Sequence, residues 1–235
     1  MKKTNPKPQE AQNGFMAQRR QILNKNSSFP IQEAYKSLRT NIRFAIRGDG
    51  CKKICITSAT AGEGKSITLL NLAISIAESG QKVLLIDADM RRPAIARLLV
   101  EKPAPGLSNI LAGLTMAEEA VRKDIYPNLD IIFSGDVPPN PSEILSTTEM
   151  AVLIEKMSNV YDYVLVDTPP VGVVSDACLV ANLLDGVLLL VRQGRTKKEQ
   201  VKRAVKNLQL TDARILGYVL NGTVVEQKDS YGYYQ

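Results

Sequence analysis

Apolar residues fall in two rhythms along this chain. In one they are nearly continuous, in short β-branched runs at 53–58, 82–86, 129–133, 163–166, 186–192 and 215–220. In the other they recur at helical spacing, at 31–47, 65–79, 94–99, 140–158, 176–184 and 196–208. Strands apolar along their whole length are buried on both faces. Their alternation with amphipathic helices predicts an α/β fold, a mostly parallel sheet covered by helices on both faces. Ligands of such sheets bind outside the carboxyl ends of the strands. The Pro/Gly-rich passage before residue 129 predicts only short helical pieces, at 108–111 and 116–121.

Punctuation sharpens these bounds. Gly80 stops the helix that begins at Lys65. Asn140 as N-cap, Pro141 at the first position and Glu143 three residues after the cap predict a helix start. Thr196 with Glu199 predicts a second capping box. The 31–47 helix lies outside the alternating core and is extra to it, with Glu33, Lys36 and Arg39 among its polar positions.

Composition changes the picture at the chain's beginning. The net charge is +6, but residues 1–28 hold Lys2, Lys3, Lys7, Arg19, Arg20 and Lys25 against Glu10 alone. The basic character therefore belongs to a tail and not to a nucleic-acid-binding face, so no direct nucleic-acid binding is expected. The segment is rich in Lys, Asn, Gln and Pro with few large apolar groups, which predicts disorder. The expected organisation is a flexible basic tail at 1–30, one globular domain at 31–225 and a C-terminal tail at 226–235. Three cysteines without a histidine do not make a four-ligand zinc site and point to reduced thiols. Met1-Lys2-Lys3 has no apolar run behind it, and no stretch of about 18 apolar residues exists. A cytoplasmic location is expected.

The chemistry centres on Ala59-Thr60-Ala61-Gly62-Glu63-Gly64-Lys65-Ser66, between a strand and a helix. This is the pattern of a phosphate-binding loop, with Ala59 in place of the first glycine, and the fold is P-loop NTPase-like. Ala61, Gly62, Glu63, Gly64, Lys65, Ser66 and Ile67 are the expected phosphate cradle. Gly62 and Gly64 let the backbone aim several N–H groups at one anion, and the helix opening at Lys65 adds its positive dipole end. Lys65 can reach terminal phosphates, and Ser66 can place a hydroxyl on Mg²⁺. ATP and Mg²⁺ are the expected cofactors.

Three acids end strands on the same side. Asp87 and Asp89 follow Val83-Leu84-Leu85-Ile86, and Asp167 follows Val164-Leu165-Val166. Mg²⁺ takes oxygen ligands and keeps several waters, so Ser66, phosphate oxygens and one or two carboxylates satisfy it. A remaining carboxylate is available to accept a proton from an attacking hydroxyl. Arg91 and Arg92 either steady phosphate charge or are solvated. Asn221, at the end of the last strand, is a candidate for adenine by analogy alone.

These residues resemble a known family. The Ala59–Ser66 loop, Leu84-Leu85-Ile86-Asp87-Ala88-Asp89-Met90-Arg91 and Val164-Leu165-Val166-Asp167-Thr168-Pro169-Pro170 are similar to the Walker A, A′ and B motifs of bacterial tyrosine kinases of capsule and exopolysaccharide export. Gly135-Asp136-Val137-Pro138-Pro139-Asn140-Pro141-Ser142-Glu143 and Glu33-Ala34-Tyr35-Lys36-Ser37-Leu38-Arg39 are also typical of them. The resemblance implies an ATP-dependent protein-tyrosine kinase in which Lys65 and Ser66 hold phosphate and Mg²⁺. It implies that Asp89 and Asp167 support the metal and that Asp87 acts as base. Tyr231, Tyr233 and Tyr234 match an autophosphorylated C-terminal cluster, and phosphate there adds close to two negative charges per site. Glu33, Lys36 and Arg39 match a ring-forming motif, with Lys36 where the family has arginine. Lys36 keeps the charge but lacks the bidentate fork. The resemblance also implies a membrane-bound activator that recruits the kinase to the inner face of the membrane, protein-tyrosine substrates and a cognate phosphatase. Two other readings compete. One is a partition-type ATPase, whose second lysine is replaced here by Thr60. The other is a nucleotide-dependent binding module without kinase activity.

Overall fold

The structure is a computed structural model that describes residues 17–223. Tyr231, Tyr233, Tyr234 and the first sixteen residues lie outside that range. After a helical turn at residues 17–19, the helix α1 (Phe29–Ala45) is followed by β1 (Lys52–Ser58), α2 (Lys65–Ala77), β2 (Val83–Asp87) and three short helices, α3 (Ile95–Leu99), α4 (Leu107–Leu111) and α5 (Ala117–Ala120). Then come β3 (Arg122–Tyr126), β4 (Leu129–Ile132), α6 (Pro141–Leu145), α7 (Thr148–Ser158) and β5 (Tyr163–Asp167). The chain continues through α8 (Asp176–Ala181), β6 (Gly186–Arg192), α9 (Lys198–Gln209) and β7 (Ile215–Asn221).

The strands form one seven-stranded sheet in the order β3-β4-β2-β5-β1-β6-β7. All pairings are parallel except β3 with β4. Successive strand residues face opposite sides. Ile54, Ile56, Leu85 and Leu165 pack toward α1, α2 and α3, while Cys55, Leu84, Val164 and Val166 pack toward α7, α8 and α9. The expected helix-covered parallel sheet is therefore present, and its central strands β2 and β5 are buried along their whole length.

Four local expectations change. Arg122–Tyr126 is a strand where none is expected, because polar residues on an edge strand carry no apolar run. The single helix expected over 140–158 is two. Ser146 Oγ donates to the Glu143 carbonyl at 2.8 Å and Thr147 Oγ1 donates to the Ile144 carbonyl at 2.9 Å. Such hydroxyls compete with the helical ladder, and Thr147 restarts it as an N-cap. Thr196 is not a cap: its Oγ1 accepts the Arg192 N–H at 3.0 Å, and α9 opens one residue later, where Gln200 Oε1 accepts the Lys197 N–H at 2.9 Å. Finally, part of the expected tail is packed. Leu23 is 3% exposed, and its N–H donates to Asn71 Oδ1 on α2 at 2.8 Å.

Candidate nucleotide and phosphotransfer site

The phosphate loop joins β1 to α2 and is held from outside by two side chains. Arg195, in the β6–α9 loop, donates through Nη1 to the Gly62 carbonyl at 2.9 Å and through Nη2 to the Ala61 carbonyl at 3.4 Å. Asn221 Nδ2 donates to the Glu63 carbonyl at 2.8 Å. In a trans peptide the N–H points opposite to the carbonyl. Holding these three carbonyls outward therefore turns the N–H groups of Gly62, Glu63 and Gly64 the other way, as an anion cradle requires. Gly64 has φ +104°, and a Cβ there would lie 2.4 Å from Asn221 Nδ2, so only glycine fits. Arg195 is a functional residue that sequence reasoning missed. A single arginine after Gln193-Gly194 carries no periodic or spacing signal.

Glu63 contributes its backbone and not its carboxylate. The side chain is buried, Oε1 accepts the Thr60 N–H at 3.0 Å, and Oε2 has no partner among the described residues. It shapes the loop from beneath.

A cavity of about 650 Å³ opens above the loop. Ala61, Gly62, Gly64, Lys65, Ser66 and Ile67 form its floor, and Asn221 and Arg192 line it at the β6–β7 end. Asp89, Arg91, Arg92 and Arg97 line it toward β2. The expected cradle is thus assembled in one place, with three further arginines and Arg192 on its walls.

The acids occupy two levels. Sheet register sets Asp167 between Ile56 and Asp87. The Ser66 hydroxyl donates to Asp167 Oδ2, while Asp167 Oδ1 is buried with no partner among the described residues. A buried carboxylate oxygen left without a partner beside a phosphate-loop serine hydroxyl suits a hard divalent cation such as Mg²⁺. Asp89 is on the cavity wall, where its Oδ1 accepts the Arg92 N–H at 3.0 Å. Asp87 is not on that wall. It is fully buried, and its two oxygens accept the N–H groups of Asp89 and Ile95, each at 3.2 Å. The residue expected as base is thus placed beneath the turn that carries Asp89.

Burial, then the Asp167 charge, holds the Asp87 carboxyl well above the usual range. Burial likewise pushes Asp167 up to about 7, opposed by the Lys65 charge and the Ser66 hydrogen bond. A carboxyl that binds its proton more tightly folded than unfolded makes the folded state hold the extra proton in between. Stability of the metal-free protein should therefore fall as pH rises from the ordinary value of 3.8 to about 7. Melting temperatures measured without metal at pH 5 and pH 8, for the wild type and Asp167→Asn, should show the steeper decline in the wild type. Equal slopes would mean that Asp167 is not held in this state.

Arg91 is not merely solvated. Its Nε and Nη2 grip Asp176 at 2.8 and 3.1 Å, and Nη2 also donates to Ser142 Oγ at 2.7 Å. Ser142 Oγ donates in turn to Asp176 Oδ1 at 2.8 Å, and Asp176 is completely buried. The Asp89 turn, the Pro138-to-Ser142 passage and α8 are tied together there.

On α1, Lys36 Nζ pairs with Glu33 Oε1 at 2.7 Å on an exposed face, a contact worth about 0–1 kcal/mol. Arg39 points inward instead, donating to the Ser75 carbonyl of α2.

A glycine-rich loop between a parallel strand and a helix, with strand-ending acids beside it, defines a P-loop nucleotide-binding protein. Residues 51–215 match a family described as an AAA domain. The tyrosine-protein kinase YwqD of Bacillus subtilis (strain 168) is 41% identical over 202 residues, which span 86% of this chain and 85% of that one. The solved kinase domain of the Escherichia coli tyrosine kinase ETK aligns with a TM-score of 0.82 at 34% identity, covering 100% of this chain and 88% of that one. The chimerical protein CapA2B2 aligns with a TM-score of 0.78, also at 34% identity, covering 83% and 86%. The chain belongs to the bacterial tyrosine-protein kinase family and is an enzyme of that class. Among the described residues, no helix is long and apolar enough to cross a membrane.

Proposed function

We propose that the chain transfers the γ-phosphate of ATP to its own C-terminal tyrosines, Tyr231, Tyr233 and Tyr234, between subunits, and thereby regulates capsule or exopolysaccharide production. One observation supports this: a single cavity is lined by the phosphate cradle, by Ser66, whose hydroxyl donates to the buried Asp167 beneath it, and by Asp89. Phosphoryl transfer needs mainly positioning and charge neutralisation. Lys65 supplies a point charge at the cradle. Ser66 and Asp167 would hold Mg²⁺, with Asp89 beside them, and the ion supplies charge neutralisation at the phosphates. Asp89 is the carboxylate that a hydroxyl meets on entering the cavity, and we assign proton acceptance to it, with Asp87 holding the turn. Asn221 and Arg192, at the opposite end, are assigned to the base and sugar side.

Assembly follows from the same reading. The exposed Glu33–Lys36 pair offers charges to a neighbouring subunit, while Arg39 fixes α1 against α2. A membrane-bound activator recruiting the enzyme to the inner face of the membrane, further protein-tyrosine substrates and a cognate phosphatase complete it.

The test is mass spectrometry of the purified chain after incubation with Mg²⁺ and ATP, with and without a candidate activator's cytoplasmic segment. Phosphotyrosine at 231, 233 or 234 is expected, with Asp89→Asn losing more activity than Asp87→Asn once both are shown to be folded. Phosphate released only to water would replace the kinase reading with an ATPase switch. The reverse order of the two variants would return the base to Asp87.

A further inference from the structure

The segment before α1, Ala17 to Leu23, is expected from composition to be solvated tail, yet it is fastened across the helix that follows the phosphate loop. Asn71 makes the fastening. It is 2% exposed, it accepts the Leu23 N–H at 2.8 Å, and its amide donates to the Gln21 carbonyl at 2.8 Å and to the Tyr35 hydroxyl at 3.1 Å. The buried amide is thus satisfied by the segment on one side and by α1 on the other, and cutting either contact leaves a buried polar group unmatched. Two backbone bonds, Gln21 N–H to the Gln18 carbonyl and Ile22 N–H to the Arg19 carbonyl, close the segment into a turn.

The turn faces the cavity. Ala17, Gln18 and Gln21 line it together with Ala94, Arg97 and Leu98, the residues that follow the Asp89 turn. Strand order gives this a direction. Asn221 and Arg192 end β7 and β6, the phosphate loop follows β1, and the Asp89 turn follows β2 on the far side of β5. Arg19 is close enough to Tyr126 of the edge strand β3 for its charge to oppose the rise that burial imposes on that hydroxyl; Tyr126 pairs with Leu129 at the end of the sheet away from Asp89, so this contact fixes the side of the sheet and the cavity lining fixes the end. The turn therefore stands at the β2–β3 side. That is beyond the phosphates as seen from Asn221, where an acceptor hydroxyl has to approach Asp89.

We propose that residues 17–21 form one wall of the groove that receives the tyrosine-bearing peptide, with the Gln18 and Gln21 side chains hydrogen-bonding to its main chain. This rests on the kinase reading given above. Each glutamine amide carries both a donor and an acceptor, the complement of a peptide group, and no charge to compete for phosphate. Among the described residues neither side-chain amide has a partner, so both are available. Main-chain recognition does not depend on which side chains flank the tyrosine. It suits an acceptor in which Tyr231, Tyr233 and Tyr234 lie within four positions and have to enter the same site in different registers.

The experiment uses the full chain carrying Gln18→Ala and Gln21→Ala together. The acceptor is a synthetic peptide of residues 224–235, and binding of a fluorescent ATP analogue is measured in parallel. Both positions are exposed, so the variant should keep the wild-type circular dichroism and melting temperature. Loss of two neutral hydrogen bonds should raise the peptide KM about 5–10-fold, with kcat and the nucleotide Kd within about twofold of wild type. An unchanged peptide KM would overturn the proposal. A nucleotide Kd weakened by the same factor as the peptide KM would also overturn it, because the turn would then wall the nucleotide. If the wild type itself transfers no phosphate to the peptide while binding nucleotide, the kinase reading fails first and the proposal fails with it.

Discussion

Lys65→Met lowers the rate of phosphate transfer about 10²–10³-fold while the fold is retained, the loss typical of removing one fixed group that stabilises transition-state charge. Lys65 opens α2 at the floor of the cavity and is only 7% exposed, so its ammonium is shielded from bulk water where phosphate charge would develop. Electrostatic contacts in such a place are stronger than in solvent. The lysine also acts on Asp167, whose carboxyl it favours in the charged form. Methionine keeps most of the length and packing, so the change removes charge with little loss of volume. Phosphotyrosine formed per minute, read beside circular dichroism, is the measurement. Activity within about threefold of wild type would mean that Lys65 is not the charge the reaction needs.

The second large effect is on stability. Arg91→Ala leaves Asp176 buried with only Ser142 as partner, and breaking a buried pair by removing one member costs about 3–5 kcal/mol. The Arg91 side chain is 37% exposed, which screens the pair and puts the expected loss at the lower end, about 3 kcal/mol. For a chain of this size that corresponds to a fall of about 6–12 °C in melting temperature. Adding Asp176→Asn removes the stranded charge and should recover a large part of the loss, so the two substitutions are not additive. Urea unfolding of the two single variants and the double variant measures this. Additive losses would show that Arg91 and Asp176 do not act as a pair.

What was legible in the sequence follows from the range of the forces involved. The phosphate loop is local: glycines, lysine and serine fix each other's geometry within eight residues, so spacing alone predicted the floor of the cavity. The strand-ending acids were equally visible, since an apolar run stops where the carboxylate begins. Their difference in placement was not visible. Asp87 and Asp89 are two residues apart and chemically identical. Only the turn, which engages Asp87 with the Ile95 N–H and leaves Asp89 on the wall, separates them. Arg195 and the Asn71 fastening depend on contacts across 133 and 48 residues, which no periodicity records. Leu23 is one apolar residue among polar ones, too few for a pattern, yet one is enough to anchor a turn when the receiving surface is already built. The β3 strand was missed for a related reason. Its Asp124 has φ +53° and its side chains are at most half-buried, so the strand exists by pairing with β4 and not by burying a face.

The hydrogen bond from Asn221 to the Glu63 carbonyl also sets a length scale. It fastens the last residue of β7 to the phosphate loop, and the chain beyond it leaves from a fixed point on the cavity rim. Ten peptide units separate that point from Tyr231, a contour of about 33–36 Å. From β7 to β2 is four strand spacings, about 19 Å. A tether of about six residues spans that gap, so the natural one has slack to spare. Self-delivery is therefore not forbidden by tether length, and any preference for a neighbour's site would have to come from the direction in which the tether departs and from what stands in its way. Removing residues from 224 onward, one at a time, would turn the tail into a ruler. Delivery within one subunit ends when the tether becomes shorter than the gap, while delivery to a neighbour ends at whatever length the assembly dictates.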